Sequence, residues 1–284
     1  NVDRARSHVL AERLLDAFTV AGLLQIVVLS GYNVMIVAQG VLLLLSRLPQ
    51  RIALGIASLT IALFVLAAGA GSAAVRAGTM ALIGLFARAV GKNYPVLRIL
   101  FAALVCILLW NPLLLVFDPG LQLSFMATLG LILGADLIYE RLKCITNALL
   151  RELLATALAA QIAVLPILLW QSGNLSFVAI PANVLTSPVL PAAMAASALA
   201  ALGALVFPEP LSIAGGMPAY VLLSYVIWVA ETAAGVPYAN VILEGFPAWW
   251  LIPMYGVLGW LVWLLRKKAP PGVRIEPSRF TTTY

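Results

Sequence analysis

Residues 111–130 read Asn-Pro-Leu-Leu-Leu-Val-Phe-Asp-Pro-Gly-Leu-Gln-Leu-Ser-Phe-Met-Ala-Thr-Leu-Gly, a polar turn that runs straight into an apolar run. Asp118 followed by Pro119 is a helix start: the carboxylate can accept the first-turn amides that lack an intrahelical acceptor, and proline has no amide to satisfy there. The cap predicted for Asp118 is therefore a side-chain one, with a place at the mouth of a path as the sharper alternative. Gln122, Ser124 and Thr128 then fall inside the run. In a hydrocarbon solvent an unpartnered amide or hydroxyl is costly, so these side chains are expected to face protein or water. The segment is read as a lining.

Outward from this stretch the chain remains apolar. Of 284 residues, 63% are hydrophobic and 10% charged, against about 25% charged in soluble domains. The mean hydropathy is +1.05. Apolar runs recur at about the 20 residues a helix needs to cross a bilayer core. They predict an all-α, polytopic integral membrane helical bundle of about nine spans at 17–45, 52–70, 72–90, 95–112, 120–139, 150–170, 177–207, 212–234 and 248–265. The first and seventh are too long for one straight crossing and too short for two, so broken helices are expected. The domain reading is an amphipathic extracytoplasmic lead-in over 1–16, a membrane domain over 17–266 and a polar cytoplasmic tail over 267–284.

The net charge of +6 is unevenly placed. Arg47 and Arg51, Arg88 to Arg98, Arg141 to Arg151 and the Arg266–Lys268 cluster fall at one set of alternate span ends, whereas Arg4, Arg6 and Arg13 fall at the other. By the positive-inside tendency this puts the N-terminus outside and the C-terminus in the cytoplasm. Asp136, Glu140, Arg141 and Lys143 read as interfacial ion pairs. The chain begins at Asn1 and is read as a piece of a longer protein.

Several function classes fare poorly. Cys106 and Cys144 have no metal-ligand or disulfide pattern, and His8 is the single histidine; no metal and no cofactor are expected. No serine in a span has a histidine or lysine at membrane depth to serve as base, so no catalytic residue is assigned and the protein is not expected to be an enzyme. Gly91-Lys92-Asn93 lacks the glycine spacing and the hydroxyl of a phosphate-binding loop, so an energy source would be external.

The polar residues inside spans carry what functional signal there is. Gln25, Tyr32 and Gln39 are spaced by seven on one helix face, although Ser30-Gly31 between them is a kink site. Arg76 lies one turn from a span end, where it either snorkels or meets phosphate with bidentate donors. Pro166, Pro181, Pro188 and Pro191, accompanied by Gln161, Gln171, Asn174 and Asn183, predict broken helix with freed carbonyls, as site or as scaffold. Small residues at 67–74, and Ala192, Ala196, Ala200 and Ala204, predict close helix contacts. Trp249, Trp250, Trp260 and Trp263 read as interface anchors.

Ser30-Gly31-Tyr32-Asn33, Ser72, Arg76-Ala77, Met80, Asn111-Pro112, Asp118, Gly120, Gln122-Leu123-Ser124-Phe125, Ala127, Gly130-Leu131, Leu165-Pro166, Ala182-Asn183-Val184-Leu185 and Pro191 occur in the order found in the membrane core of the ComEC competence proteins, which the chain resembles over about 30–200 and more loosely to its last span. The resemblance implies a bacterial inner-membrane channel that passes single-stranded DNA into the cytoplasm during natural transformation, served by outer DNA-delivery proteins and a cytosolic DNA motor, with homo-oligomerisation left open. Asn33 stands where the family often has histidine. Members commonly also carry OB-like and metallo-β-lactamase-like domains; residues 1–284 contain neither, and one histidine cannot build the metal site of such a nuclease. A strand with one negative charge per nucleotide needs a wet path, because bare charge in low dielectric costs on the order of tens of kcal/mol. The expected lining is Gln25, Tyr32, Asn33, Gln39, Arg76, Asp118, Gln122, Ser124, Thr128, Gln161 and Asn183. The competing expectation is a secondary transporter of a small solute, which also uses broken helices.

Overall fold

The computed structural model describes residues 2–23, 31–45, 47–67, 69, 72–89, 96–206, 208–243 and 245–267. They form a polytopic membrane bundle of helices with one very short two-stranded ladder. Among the described residues, five helices are long and apolar enough to cross a membrane, and a bent pair makes six. Two further apolar helices among the described residues are shorter and fall within predicted runs: Gly31–Leu44 has 14 residues, about 21 Å at the α-helical rise, and Val96–Trp110 has 15.

The chain divides into two compact units. The first comprises 1–27 and 174–243. It contains α1 (Val2–Val20), β1 (Asn174–Ser176), α9 (Ala179–Thr186), α10 (Leu190–Val206), α11 (Glu209–Ala234) and β2 (Asn240–Ile242). Phe18, Ala21 and Leu23 from the end of α1 pack with Ala182 of α9 and with Val226, Val229 and Ala230 of α11. β1 and β2 are antiparallel, with Asn174 opposite Ile242 and Ser176 opposite Asn240.

The long run predicted over 17–45 is broken, and the described residues show how. α1 continues through Val20, beyond the lead-in expected over 1–16, and stops where Gly22 adopts a left-handed φ of 66°. The Leu23 amide reaches back to the Phe18 carbonyl at 2.8 Å, and the Gly22 amide reaches the Thr19 carbonyl at 3.1 Å. These two bonds, with the buried Phe18 and Leu23 side chains packed in one cluster, form a Schellman C-cap.

The run over 177–207 is broken as expected: α9 and α10 meet at a bend of 49°. Ser187, Pro188 and Val189 lie between them, and proline at 188 supplies no amide to continue the ladder. The Leu185 carbonyl at this break accepts a hydrogen bond from the Tyr225 hydroxyl of α11 at 3.4 Å.

The second unit comprises 28–173 and 244–284. It contains α2 (Gly31–Leu44), α3 (Gln50–Ala67), α4 (Ser72–Ala89), α5 (Val96–Trp110), α6 (Leu114–Phe117), α7 (Pro119–Arg141), α8 (Ala148–Ser172) and α12 (Leu251–Lys267), the last preceded by a single tight turn at Ala248–Trp250. α2, α3 and α4 share a core of Val34, Leu54, Ala57, Ile61, Ala77, Ala81 and Leu85. The small-residue stretch at the α3–α4 turn includes Gly69 at a φ of 81°.

α7 and α8 form the tightest pair. A Cβ at Gly130 would lie 2.3 Å from the Ala163 Cβ and 2.6 Å from the Ala159 carbonyl oxygen. One turn on, a Cβ at Gly134 would meet the Ala159 Cβ at an ordinary 3.5 Å. This is small-residue packing that lets two backbones approach. At the α7–α8 loop the Arg151 guanidinium lies 3.8 Å from the centre of the Tyr139 ring while its Nε donates to the Tyr139 carbonyl at 2.7 Å. The interfacial ion pairing expected in this region is found between Lys143 and Glu140 at 3.4 Å.

Pro166 sits inside α8 and is buried. It leaves the Ile162 carbonyl without its usual donor. The next carbonyl, Ala163, takes the hydroxyl of Tyr255 from α12 at 3.0 Å. A neighbouring helix thus supplies a donor at membrane depth.

Candidate functional site

The polar residues singled out in the sequence fall into two groups, one in each unit. In the second unit they gather where α6 turns into α7. Asn111 folds its side chain back to accept the Leu113 amide at 3.1 Å, which starts the turn. Asp118 is the N-cap of α7 by backbone position and Pro119 is its first residue. The predicted side-chain cap is not formed: the Asp118 carboxylate accepts no first-turn amide. Its backbone carbonyl accepts the Gln122 amide at 3.3 Å instead, and Pro119 has no amide to offer.

Gln122 is the knot of this corner. Its Nε2 donates to the Leu115 carbonyl at 2.8 Å and to the Val116 carbonyl at 3.0 Å. Its Oε1 accepts from Gln171 Nε2 at 2.6 Å. One side chain therefore ties the single-turn helix α6, the first turn of α7 and the last turn of α8. A helix of four residues has few internal bonds, so its geometry depends on this clamp. Gln122→Ala loses all three bonds and is expected to cost about 1–3 kcal/mol, read as a lower midpoint of thermal unfolding in detergent. Gln122→Glu should not restore it, since a carboxylate would face two carbonyl oxygens.

Further along α7, Thr128 spends its hydroxyl on the Ser124 carbonyl at 2.9 Å, the back-bonding common for hydroxyl side chains in helices. Ser124 lines a small pocket with Met80, Leu100, Leu104, Ile107 and Phe125, and the Phe125 ring meets Phe101 edge-on at 5.5 Å. Gln161 lies half-buried on α8. Among the described candidates in this unit, Asp118, Ser124 and Gln161 keep side-chain polar atoms with no hydrogen bond to described residues, whereas Gln122 and Thr128 are bonded within the protein.

In the first unit, Asn183 of α9 donates to the Ala179 carbonyl at 2.9 Å and to the Gly22 carbonyl at 3.4 Å. Ser176 donates to the Val20 carbonyl at 2.6 Å. The end of α1 is thus capped by side chains more than 150 residues away in sequence. A Cβ at Gly22 would fall 2.5 Å from the Ala179 Cβ, so close contact accompanies the caps.

Gln25 lies outside the described residues. The backbones of Tyr32, Asn33, Gln39 and Arg76 are in α2 and α4, and their side chains lie outside the description. Side chains with structural roles that were not singled out in the sequence include Ser176, Tyr139, Tyr225 and Tyr255. Ser176 had a weak signal in its position between Asn174 and Pro181; Tyr255, in an otherwise apolar helix, had only its hydroxyl. Among the described residues no group of His, Cys, Asp or Glu could hold a metal.

The model of the family described as Competence protein matches residues 5–268. The chain belongs to the competence protein family. The matched range takes in both polar groups described above and runs from the first turn of α1 through α12. Among curated relatives, the ComE operon protein 3 of Bacillus subtilis (strain 168) is 30% identical over 200 residues, which cover 68% of this chain and 25% of that protein. The chain therefore spans about a quarter of the length of this competence-family relative. No solved structure matches. The resemblance to the ComEC membrane core is thereby established at the level of the family.

Proposed function

We propose that the chain forms the membrane-embedded conduit by which single-stranded DNA enters the cytoplasm during natural transformation. The observation that carries the reading is the family match across residues 5–268 of a chain made of membrane helices. The polar side chains at membrane depth support it. A polyanion needs water or fixed donors along its whole path, because bare phosphates in hydrocarbon cost on the order of tens of kcal/mol each. Asp118, Ser124 and Gln161 are the described candidates whose side-chain polar atoms make no hydrogen bond to described residues and so need water or a strand as partner, and Arg76 is the cation that a phosphate would meet. Gln122 and Asn183 support the path indirectly, by holding the helix breaks in shape.

In this reading the protein resides in the bacterial inner membrane with its N-terminus outside and its C-terminus in the cytoplasm, in keeping with the basic residues at one set of span ends. Outer proteins deliver the strand, a cytosolic motor draws it in, and the chain itself does no catalysis and needs no cofactor. The basic loops attract the emerging strand as any polyanion.

The test is removal of the gene from a transformable host. Labelled DNA should still bind the cell surface, while entry into the cytoplasm and recovery of transformants are expected to vanish and to return with the gene supplied in trans. Undiminished transformation would reject the reading. A second reading, secondary transport of a small solute, is favoured by the bent α9–α10 pair, a feature of ion-coupled sites. It predicts uptake into vesicles driven by an ion gradient, without any DNA requirement.

A further inference from the structure

Residues 236–239 form a turn in which the Ala239 amide donates to the Val236 carbonyl at 3.0 Å. Pro237 occupies the second position and Tyr238 the third, with φ at +60°. This is the type II pattern, whose third position needs a positive φ and is normally filled by Gly or Asn. Tyr238 is the described non-glycine residue held in that conformation. It is also 88% exposed, so the ring makes no packing contact that would offset the strain. An outlier maintained without an internal reason points to something outside the chain.

The place of the turn identifies that something. It begins directly after α11, which contains a 24-residue stretch long and apolar enough to span a bilayer, so Tyr238 lies four residues beyond the end of a crossing. The ladder beside it carries Asn174, Ser176 and Asn240, with Asn240 donating to Asn174 at 3.3 Å. Such open strand edges belong in a hydrated layer and not in the hydrocarbon. The Phe177 amide donates to the Ala239 carbonyl at 2.9 Å and extends the ladder by one pair; Phe177 is 60% exposed. Between Arg151 and Arg266 the sequence has no lysine or arginine. Residues 174–177 and 236–243 thus offer a nucleic acid no phosphate contact of their own, and such contacts supply most of the affinity of non-specific binding. An uncharged aromatic pair at the end of an apolar helix suits the headgroup layer, where a phenol buries its ring and keeps its hydroxyl wet.

We infer that Tyr238, with Phe177 beside it on the ladder, is an anchor in the lipid headgroup layer that fixes the depth of the α11 end. The inference stands apart from the DNA reading and is tested without it. A nitroxide attached at Tyr238→Cys, in the full chain with Cys106 and Cys144 changed to serine, is reconstituted into phosphatidylcholine–phosphatidylglycerol liposomes. Collision with oxygen and with a nickel chelate should place the label at headgroup depth. In the same liposomes Tyr238→Gly should unfold at a lower fraction of added dodecyl sulfate although it relieves the backbone, and Tyr238→Trp should match the parent. A label as open to the nickel chelate as a free loop, protection of the label by an oligodeoxythymidine, or a Gly variant at least as stable as the parent would overturn the assignment.

Discussion

Gly130→Ala is expected to lose on the order of 3 kcal/mol of stability, and with it most of the folded protein recoverable from the membrane. The added methyl would meet the Ala163 Cβ at 2.3 Å and the Ala159 carbonyl oxygen at 2.6 Å. A side chain can rotate away, but Ala163 has no rotamer to change and a helix carbonyl moves only with its helix. The pair α7–α8 must therefore separate or tilt. Two comparisons isolate the cause. Ala163→Gly in the same chain removes one of the two obstacles and should recover part of the loss, leaving the carbonyl contact. Gly134→Ala, whose methyl would meet the Ala159 Cβ at 3.5 Å, should be neutral or stabilising by about 1 kcal/mol from helix propensity. Equal losses at Gly130 and Gly134, by unfolding midpoint at matched expression, would mean that the two helices are not in contact at this register.

Gly22→Ala is the second large effect, on the order of 2–4 kcal/mol from two separate sources. The left-handed φ of 66° is disfavoured for any residue with a Cβ, and that Cβ would sit 2.5 Å from the Ala179 Cβ. Ala179→Gly should relieve the closer contact, leaving the Ala179 Cα at 3.2 Å and the strain in place. Gly69 provides the reference for strain, since its φ is 81° and a Cβ there would meet no described atom within 4 Å. Gly22→Ala should therefore destabilise more than Gly69→Ala in the same assay. The reverse order would place the end of α1 away from α9.

Much of the fold is legible in the residue string, for identifiable reasons. Hydrocarbon-length apolar runs are a strong signal, and the Asp118-Pro119 start and the proline break at Ser187–Val189 fall where local chemistry predicts. The break after Val20 was visible only as excess length. The termination itself needs Gly22 in a left-handed conformation and a Phe18–Leu23 contact, which a glycine in an apolar run does not announce. The lining was harder to read. Polarity inside a span tells that a partner is required but not whether the partner is water or a carbonyl. Gln122 and Asn183 turn out to bond backbone oxygens, and those oxygens belong to turns and helix ends whose positions are set by tertiary packing. The sequence shows the donors; the acceptors it meets depend on the fold.

Ser176 and Asn183 meet the last turn of α1 across 156 and 161 residues of chain. During ribosomal synthesis α1 is made well before Ser176 and Asn183, whose hydroxyl and amide complete its end, and distant contacts of this kind form slowly. The end of α1, closed locally by its own Schellman turn, must therefore wait for more than 150 further residues before Ser176 and Asn183 can reach its carbonyls.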